Sequence, residues 1–289
     1  MKTIVITDSN SGISQEEAKE LNIKLVPMPV LIDGEEYFED VSISQTEFYE
    51  KLKNNAQVST SQPNLFGITE LWTEILKEYD EIVYIPMSSA LSASCENTTV
   101  ASNDFAGKVF VVNNKRISVT QKQSVYDAIE LAKQGKTAKE IKEYLENTSL
   151  DASIYIMLTT LKYLKKGGRI TPAAALIGDL IGIKPILQIQ GGKLDKFAQV
   201  ISYNQGKKKM IEQLKKDIET RLVEYKDLGK LKVFVAYTNC LDKANQFKEE
   251  INKAFSGLNL EVSLIDALPL SIACHIGDGA IAIACARTV

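Results

Sequence analysis

The chain has 289 residues, 45% hydrophobic and 25% charged, with a net charge of −3 at pH 7. That balance is ordinary for a globular protein and leaves room for about two domains of ~150 residues. With no basic block interleaved with aromatics and no apolar run near ~18 residues, nucleic-acid binding and a membrane span are both disfavoured.

Thr3 to Thr7 is a short strand that stops at the polar turn Asp8-Ser9-Asn10. Ser14-Gln15-Glu16-Glu17 has capping-box spacing and opens a helix to about Leu21. Ile23 to Ile32 reads as extended, and Pro27 and Pro29 restrict it to an edge strand. Asp33-Gly34 is a hairpin turn signal with Tyr37-Phe38 on the return arm, so residues 24–42 are expected as a small inserted hairpin. Ser44 to Glu47 is a second capping box, with Phe48 and Leu52 on the buried side of its helix. Ser59-Thr60-Ser61-Gln62-Pro63 is a hydroxyl cluster that Pro63 holds extended. Ile68, Leu71, Trp72, Ile75 and Leu76 then recur at helical spacing, which assigns Trp72 to the core.

Ile82 to Ile85 is a continuous apolar run, the mark of a parallel strand covered on both faces. It ends at Pro86 and opens into Ser88, Ser89, Ser92 and Ser94, with Ser92 placed to cap a helix running to about Phe105. Lys108 to Val112 is a further strand, Val119 to Gln134 a long helix ended by Gly135, and Thr137 to Glu140 a third capping box. Gly135-Lys136-Thr137 is similar to a phosphate-loop GK[ST], but Glu130 stands where that loop needs its first glycine.

Asp151 to Ser153 is the expected boundary between lobes 1–152 and 153–289. The second lobe opens with strand Ile154–Leu158 and a short helix through Tyr163, followed by the loop Lys165-Lys166-Gly167-Gly168-Arg169. Thr171 caps a helix that starts at Pro172 and has a wide apolar surface. Ile183–Gln190 and Lys193–Ile201 form a hairpin about Gly191-Gly192. A long helix carries Ile211, Leu214, Ile218 and Leu222, and its opening lysines, Lys207 to Lys209, read as a solvated face. Strand Leu231–Tyr237, helix Leu241–Phe255 and strand Leu260–Ile265 follow. The chain closes with Cys274-His275-Ile276-Gly277-Asp278-Gly279 and strand Ala280–Ala286. Strands and helices alternate in both lobes, so the class is α/β.

Three polar clusters carry the chemistry: Ser59 to Ser61, Ser88 to Ser94, and His275 with its glycines. Each is expected where a strand stops, the place where open α/β sheets bind ligands. Hydroxyls and backbone N–H groups can satisfy a carboxylate without a full buried countercharge. His275, the only histidine, can donate one more hydrogen bond, with a charge that depends on pH. The alternative for each cluster is purely structural: a capped turn, a satisfied histidine. Arg169 is a fixed positive charge on a loop, open to a phosphate, an acidic partner or solvent. A Ser–His pair also admits an acyl hydrolase, although no G-x-S-x-G elbow surrounds any serine. Cys95, Cys240, Cys274 and Cys285 lie far apart without a CxxC pair, and neither that spacing nor the Cys274-His275 dipeptide supplies a metal-ligand set. Reduced thiols and the absence of a signal-peptide pattern lead to an expected cytoplasmic location.

VITDSN, VSTSQPN, IPMSSALSAS, LKYLKKGGRI, PAAALIGDLIGIKPIL and HIGDGAIAI occur in this order. In that order and spacing the chain resembles the DegV family of bacterial fatty-acid-binding proteins. The resemblance implies a Rossmann-like first lobe with a hairpin insertion, a second α/β lobe, and a tunnel between them for a long-chain fatty acid. It implies a monomeric, non-catalytic acyl carrier whose bound fatty acid, with no cofactor or metal, is presented to a separate ATP-binding fatty-acid kinase. Thr60, Ser61, Ser92 and His275 match the family's carboxylate-binding positions, and Arg169 matches an arginine for partner docking or phosphate handling. The Ala173–Ile183 helix and the region of Phe66 and Ile68 are candidate tunnel walls. Ala93 stands where the family loop has glycine, Asp278 where its closing motif has proline, and Gln205 near where it has arginine. Two alternatives remain at this stage: a hydrolase with Ser92 as nucleophile and His275 as base, and a lipid sensor without a kinase.

Overall fold

The computed structural model describes residues 2–175 and 182–289. Two units divide the chain: residues through Leu150 with Pro269–Ser271 and Val289, and Asp151–Leu268 with Ile272–Thr288.

The strands of the first unit are β1 (Thr3–Asp8), β2 (Lys24–Val26), β3 (Pro29–Ile32), β4 (Glu35–Phe38), β5 (Val58–Thr60), β6 (Glu81–Ile85) and β7 (Val109–Val111). One sheet has the order β2-β1-β6-β7, all parallel. The unbroken apolar run of β6 follows from this central place. Ile82 and Tyr84 point to a core with Trp72, and Val83 and Ile85 point to another with Val125 and Ile141. All four are fully buried, each contributing about 1.5–3 kcal/mol relative to exposure.

The inserted hairpin is part of a separate antiparallel sheet of order β4-β3-β5. Asp33 and Gly34 turn it with φ of 52° and 92°, the left-handed pair that a tight hairpin requires. The expected single edge strand over Ile23–Ile32 is two strands instead. β2 borders the parallel sheet, whereas β3 is central in the small sheet. Pro29 is tolerated there because it occupies the first position of β3. The helix after the serine loop begins at Ser94, not Ser92, and its regular part ends at Ser102.

The second unit contains β8 (Ala152–Met157), β9 (Lys184–Ile189), β10 (Asp195–Val200), β11 (Leu231–Tyr237), β12 (Val262–Ala267) and β13 (Ile281–Arg287). They form one sheet of order β10-β9-β8-β13-β11-β12, antiparallel except for the pair β11–β12. Helices Tyr203–Glu219 and Leu241–Phe255 cover it through Met210, Leu214, Phe247 and Ile251, all fully buried. Lys207 differs from the expected solvated face: it is 6% exposed and pairs with Glu250, while Lys208 and Lys209 face water. Lys165 and Lys166 belong to helix Lys162–Gly167, which ends at Gly168 with φ 67°. Cations in a last turn and a left-handed glycine after it are favourable helix endings, so the helix runs past Tyr163. Thr171 accepts a hydrogen bond from Ala174 N at 3.2 Å and caps helix Pro172–Ala175. The rest of that expected helix, residues 176–181, lies outside the described residues. Among the described residues no helix is long and apolar enough to cross a membrane.

Candidate functional site

The first unit builds its polar site where β1 and β6 stop. Asp8 is fully buried at the end of β1. Its Oδ2 accepts from Met87 N–H at 2.9 Å, and its Oδ1 accepts from Asn10 N–H at 3.1 Å and Gln121 Nε2 at 3.0 Å. Gln121 also donates to the Ile85 carbonyl at 3.1 Å, as does Thr7 Oγ1 at 2.8 Å. Burial pushes the Asp8 carboxyl above the usual carboxylate range, while the donors from Met87, Gln121 and Asn10 pull it back. Together these bonds fasten the start of the serine loop to the neighbouring strand. From the sequence alone Asp8 has no role beyond a polar turn. The signal was a carboxylate directly after an apolar parallel strand.

The four loop serines then separate by task. Ser88 is 1% exposed; its N–H donates to the Arg116 carbonyl at 3.0 Å and its Oγ accepts from Ala90 N–H at 3.2 Å. Ser89 Oγ accepts from Asn113 Nδ2 at 2.9 Å. Ser94 is buried in the first helical turn. Ser92 is half-buried, and its Oγ accepts from Ser94 N–H at 3.2 Å. Ser92 thus serves the first N–H of the helix from one residue before the capping position, which Ala93 occupies. That bond uses an oxygen lone pair, so the hydroxyl keeps its proton to donate.

Thr60 ends β5, half-buried, opposite Val30 of β3. Ser61 follows it, exposed. Gln62 Oε1 accepts from Asn97 Nδ2 at 2.6 Å, tying the segment of Thr60 and Ser61 to the helix that follows Ser92. Beside Gln62 an open groove of about 430 Å³ is lined by Leu25, Val26, Pro29, Phe38, Ile68 and Leu71. Of the candidate tunnel-wall residues here, Ile68 borders this groove and Phe66 is 68% exposed.

In the second unit His275 sits in the last turn of helix Leu270–Ile276, not at the end of a strand. Gly277, with φ 75°, stops that helix. The imidazole lies against Gly167: a Cβ there would come within 2.6 Å of His275 Nδ1. Arg169 Nη1 donates to the Gly167 carbonyl, so the glycine pair folds the arginine back toward the histidine. Burial, and then the charge of Arg169, pushes the His275 pKa down to about 4. At neutral pH it is therefore an uncharged imidazole with one N–H to donate. The carboxylate of Asp278 is exposed, and its backbone carbonyl accepts from Thr159 Oγ1 at 2.7 Å. Among the described residues no three His, Cys, Asp or Glu side chains are grouped to hold a metal ion.

Thr60, Ser61 and Ser92 thus belong to the first unit, and His275 and Arg169 to the second. A family model described as "Uncharacterised protein, DegV family" matches residues 2–288. A DegV domain-containing protein of Staphylococcus aureus is 30% identical over 282 residues, covering 97% of each chain. Two solved structures share the fold. One, of a DegV family protein from Thermus thermophilus described by its fatty acid binding, has 25% identity and a TM-score of 0.86, covering 99% of this chain and 100% of that one. The other, DegV from Bacillus subtilis, described as a fatty acid binding protein, has 26% identity and a TM-score of 0.85, covering 100% of both chains.

Proposed function

Because the chain belongs to the DegV family, we propose that it binds a long-chain fatty acid and presents the carboxyl group to a separate ATP-dependent kinase. In this reading the chain is a carrier and performs no chemistry alone. One observation carries it: Ser92 lies in the loop after β6, at the carboxyl end of the parallel sheet, and the Asn97–Gln62 hydrogen bond ties its segment to that of Thr60 and Ser61, all three hydroxyls being half-buried or exposed. The fatty acid binding ascribed to the relatives from Thermus thermophilus and Bacillus subtilis supports the ligand class.

The three hydroxyls donate to the carboxylate oxygens, and neutral His275 adds an N–H donor. Neutral donors leave the carboxylate nucleophilic, since no full charge is spent on neutralising it. Arg169 is reserved for the incoming phosphoryl group or the partner. One carboxylate oxygen attacks the γ-phosphorus of ATP, the bond to the β–γ bridging oxygen breaks, and ADP leaves with the electron pair. The product is an acyl phosphate, and positioning is the carrier's contribution to it. Affinity comes from the tail, at about 0.8 kcal/mol per buried CH₂, less the ordering and association costs.

Native mass spectrometry of the freshly purified protein tests the ligand. The expected spectrum shows an increment of one fatty acid, released intact on denaturation. A spectrum without lipid, or ester cleavage that Ser92→Ala abolishes, would overturn the carrier reading; the second result would favour the hydrolase.

A further inference from the structure

On the premise that the chain is a carrier for a kinase, we propose that the β4-β3-β5 sheet and its adjoining groove dock a basic, apolar-tipped surface of that kinase. Charge sets the partner's chemistry. Asp33, Glu35, Glu36, Glu39 and Asp40 fall within eight residues, and no lysine or arginine occurs from Leu25 to Glu50. The chain as a whole is nearly balanced, with 34 basic and 37 acidic residues. Asp33, Glu35, Glu36 and Asp40 are exposed. Lys51, just beyond this stretch, lies 5.7 Å from the Tyr37 ring centroid. Such a field attracts a cationic protein surface and repels an anionic one.

Shape supplies the second argument. Register places Leu31 opposite both Glu36 and Ser59, so these three share one face of the sheet. The groove of about 430 Å³ opens beside Pro29, Glu36 and Phe38 of that sheet. Phe66 at 68% exposure and Val41 at 64% stand clear of their own core. Acidic residues on an edge strand also discourage pairing with stray strands. That does not account for an apolar groove bordered by Glu36.

Position supplies the third. β5 ends at Thr60, and β4 is two strands away in the same sheet, about 10 Å at the usual strand spacing. Register sets Thr60 and Tyr37 on either side of Val30, so in this proposal a phosphoryl donor that reaches a carboxylate held by Thr60 comes near the acidic strand. It brings the negative charge of ATP with it, so its flank must be cationic to approach.

The test uses the fatty-acid-loaded chain and the fatty-acid kinase of the same organism, with ADP release measured at about 50 mM and about 300 mM salt. For the unaltered carrier, the KM for carrier should rise with salt. Glu35→Lys combined with Glu36→Lys should raise that KM about tenfold at low salt and flatten its salt dependence, with kcat within about twofold. Val41→Ser should raise KM while leaving the salt slope in place. Both variants alter exposed positions and should carry the same fatty acid increment by native mass spectrometry. Equal KM values for the charge-reversed and unaltered carriers would overturn the docking face while leaving the carrier reading standing. No turnover with the unaltered, loaded carrier would overturn the kinase premise, and the docking face with it.

Discussion

Asp8 accepts three hydrogen bonds through two oxygens, from Met87 on one side and from Asn10 and Gln121 on the other. An amide in its place must turn its NH₂ toward one of these donors. Asp8→Asn should therefore cost about 2 kcal/mol, as one buried donor is left facing another, and chemical denaturation measures the loss. An unchanged midpoint would mean that the serine loop does not depend on this clasp. His275 gives a pH prediction of definite sign. Burial and Arg169 hold its folded pKa at about 4, below the ordinary histidine value of about 6.5. Between those values the unfolded chain binds more protons, so stability is full above pH 6.5 and is lost as pH falls toward 4. The contribution is at most about 3 kcal/mol. His275→Gln should remove it, so urea unfolding at pH 7 and pH 4.5 should show a smaller loss in the variant than in the unaltered protein. Equal losses would place the imidazole in water.

At the level of elements, the helix Tyr203–Glu219 approaches β8 through Gly206. A Cβ there would come within 2.3 Å of Met157 Sδ and 3.2 Å of Val200 Cγ2. Gly206→Ala should cost about 1–3 kcal/mol by overpacking, even though alanine favours a helix, because a sulfur and a branched methyl must both give way. Equilibrium unfolding should show a lower midpoint; a rise would mean that the helix rides higher on the sheet. Capping boxes at Ser44 and Thr137 were legible because partners three residues apart meet within one turn, and both close in the structure. The buried run of β6 was legible for the same local reason, as was the Asp33-Gly34 turn. The place of β3 was not: of its neighbours, β4 follows by a tight turn and β5 only after helix Gln45–Lys53, and only pairing reveals that it is central. The end of helix Lys162–Gly167 is not legible in the sequence, because two lysines and two glycines look like a loop until the last-turn charges and the left-handed cap are seen together. Ser88 and Ser92 were equivalent as letters; both accept a backbone N–H, and burial, with Ser88 1% exposed and Ser92 half-buried, is what distinguishes them.

Over the whole chain, each unit has its own apolar core: Val83 and Ile141 with their neighbours in the first, Leu214 and Phe247 with theirs in the second. Neither core requires a lipid in order to exist, so the protein should stay folded when stripped of one. The candidate ligand-binding residues nevertheless come from segments distant in sequence: Thr60 and Ser61 follow β5, Ser92 follows β6, and His275 ends a helix near the other end of the chain. A ligand that bonds to Thr60, Ser61 and Ser92 is held only by the native chain and not by the unfolded one. Binding must then raise the unfolding free energy by mass action, about 2.7 kcal/mol at a free concentration one hundred times Kd. For a chain of this size that corresponds to about 5 °C or more in Tm. Delipidated protein should accordingly unfold at a lower temperature than the freshly purified form, and added long-chain fatty acid should restore the difference. A methyl ester of the same chain length should restore less, because it carries no negative charge and its alkoxy oxygen is a poor hydrogen-bond acceptor. Equal shifts from acid and ester would leave a greasy cavity as the whole site and remove Thr60, Ser61, Ser92 and His275 from it.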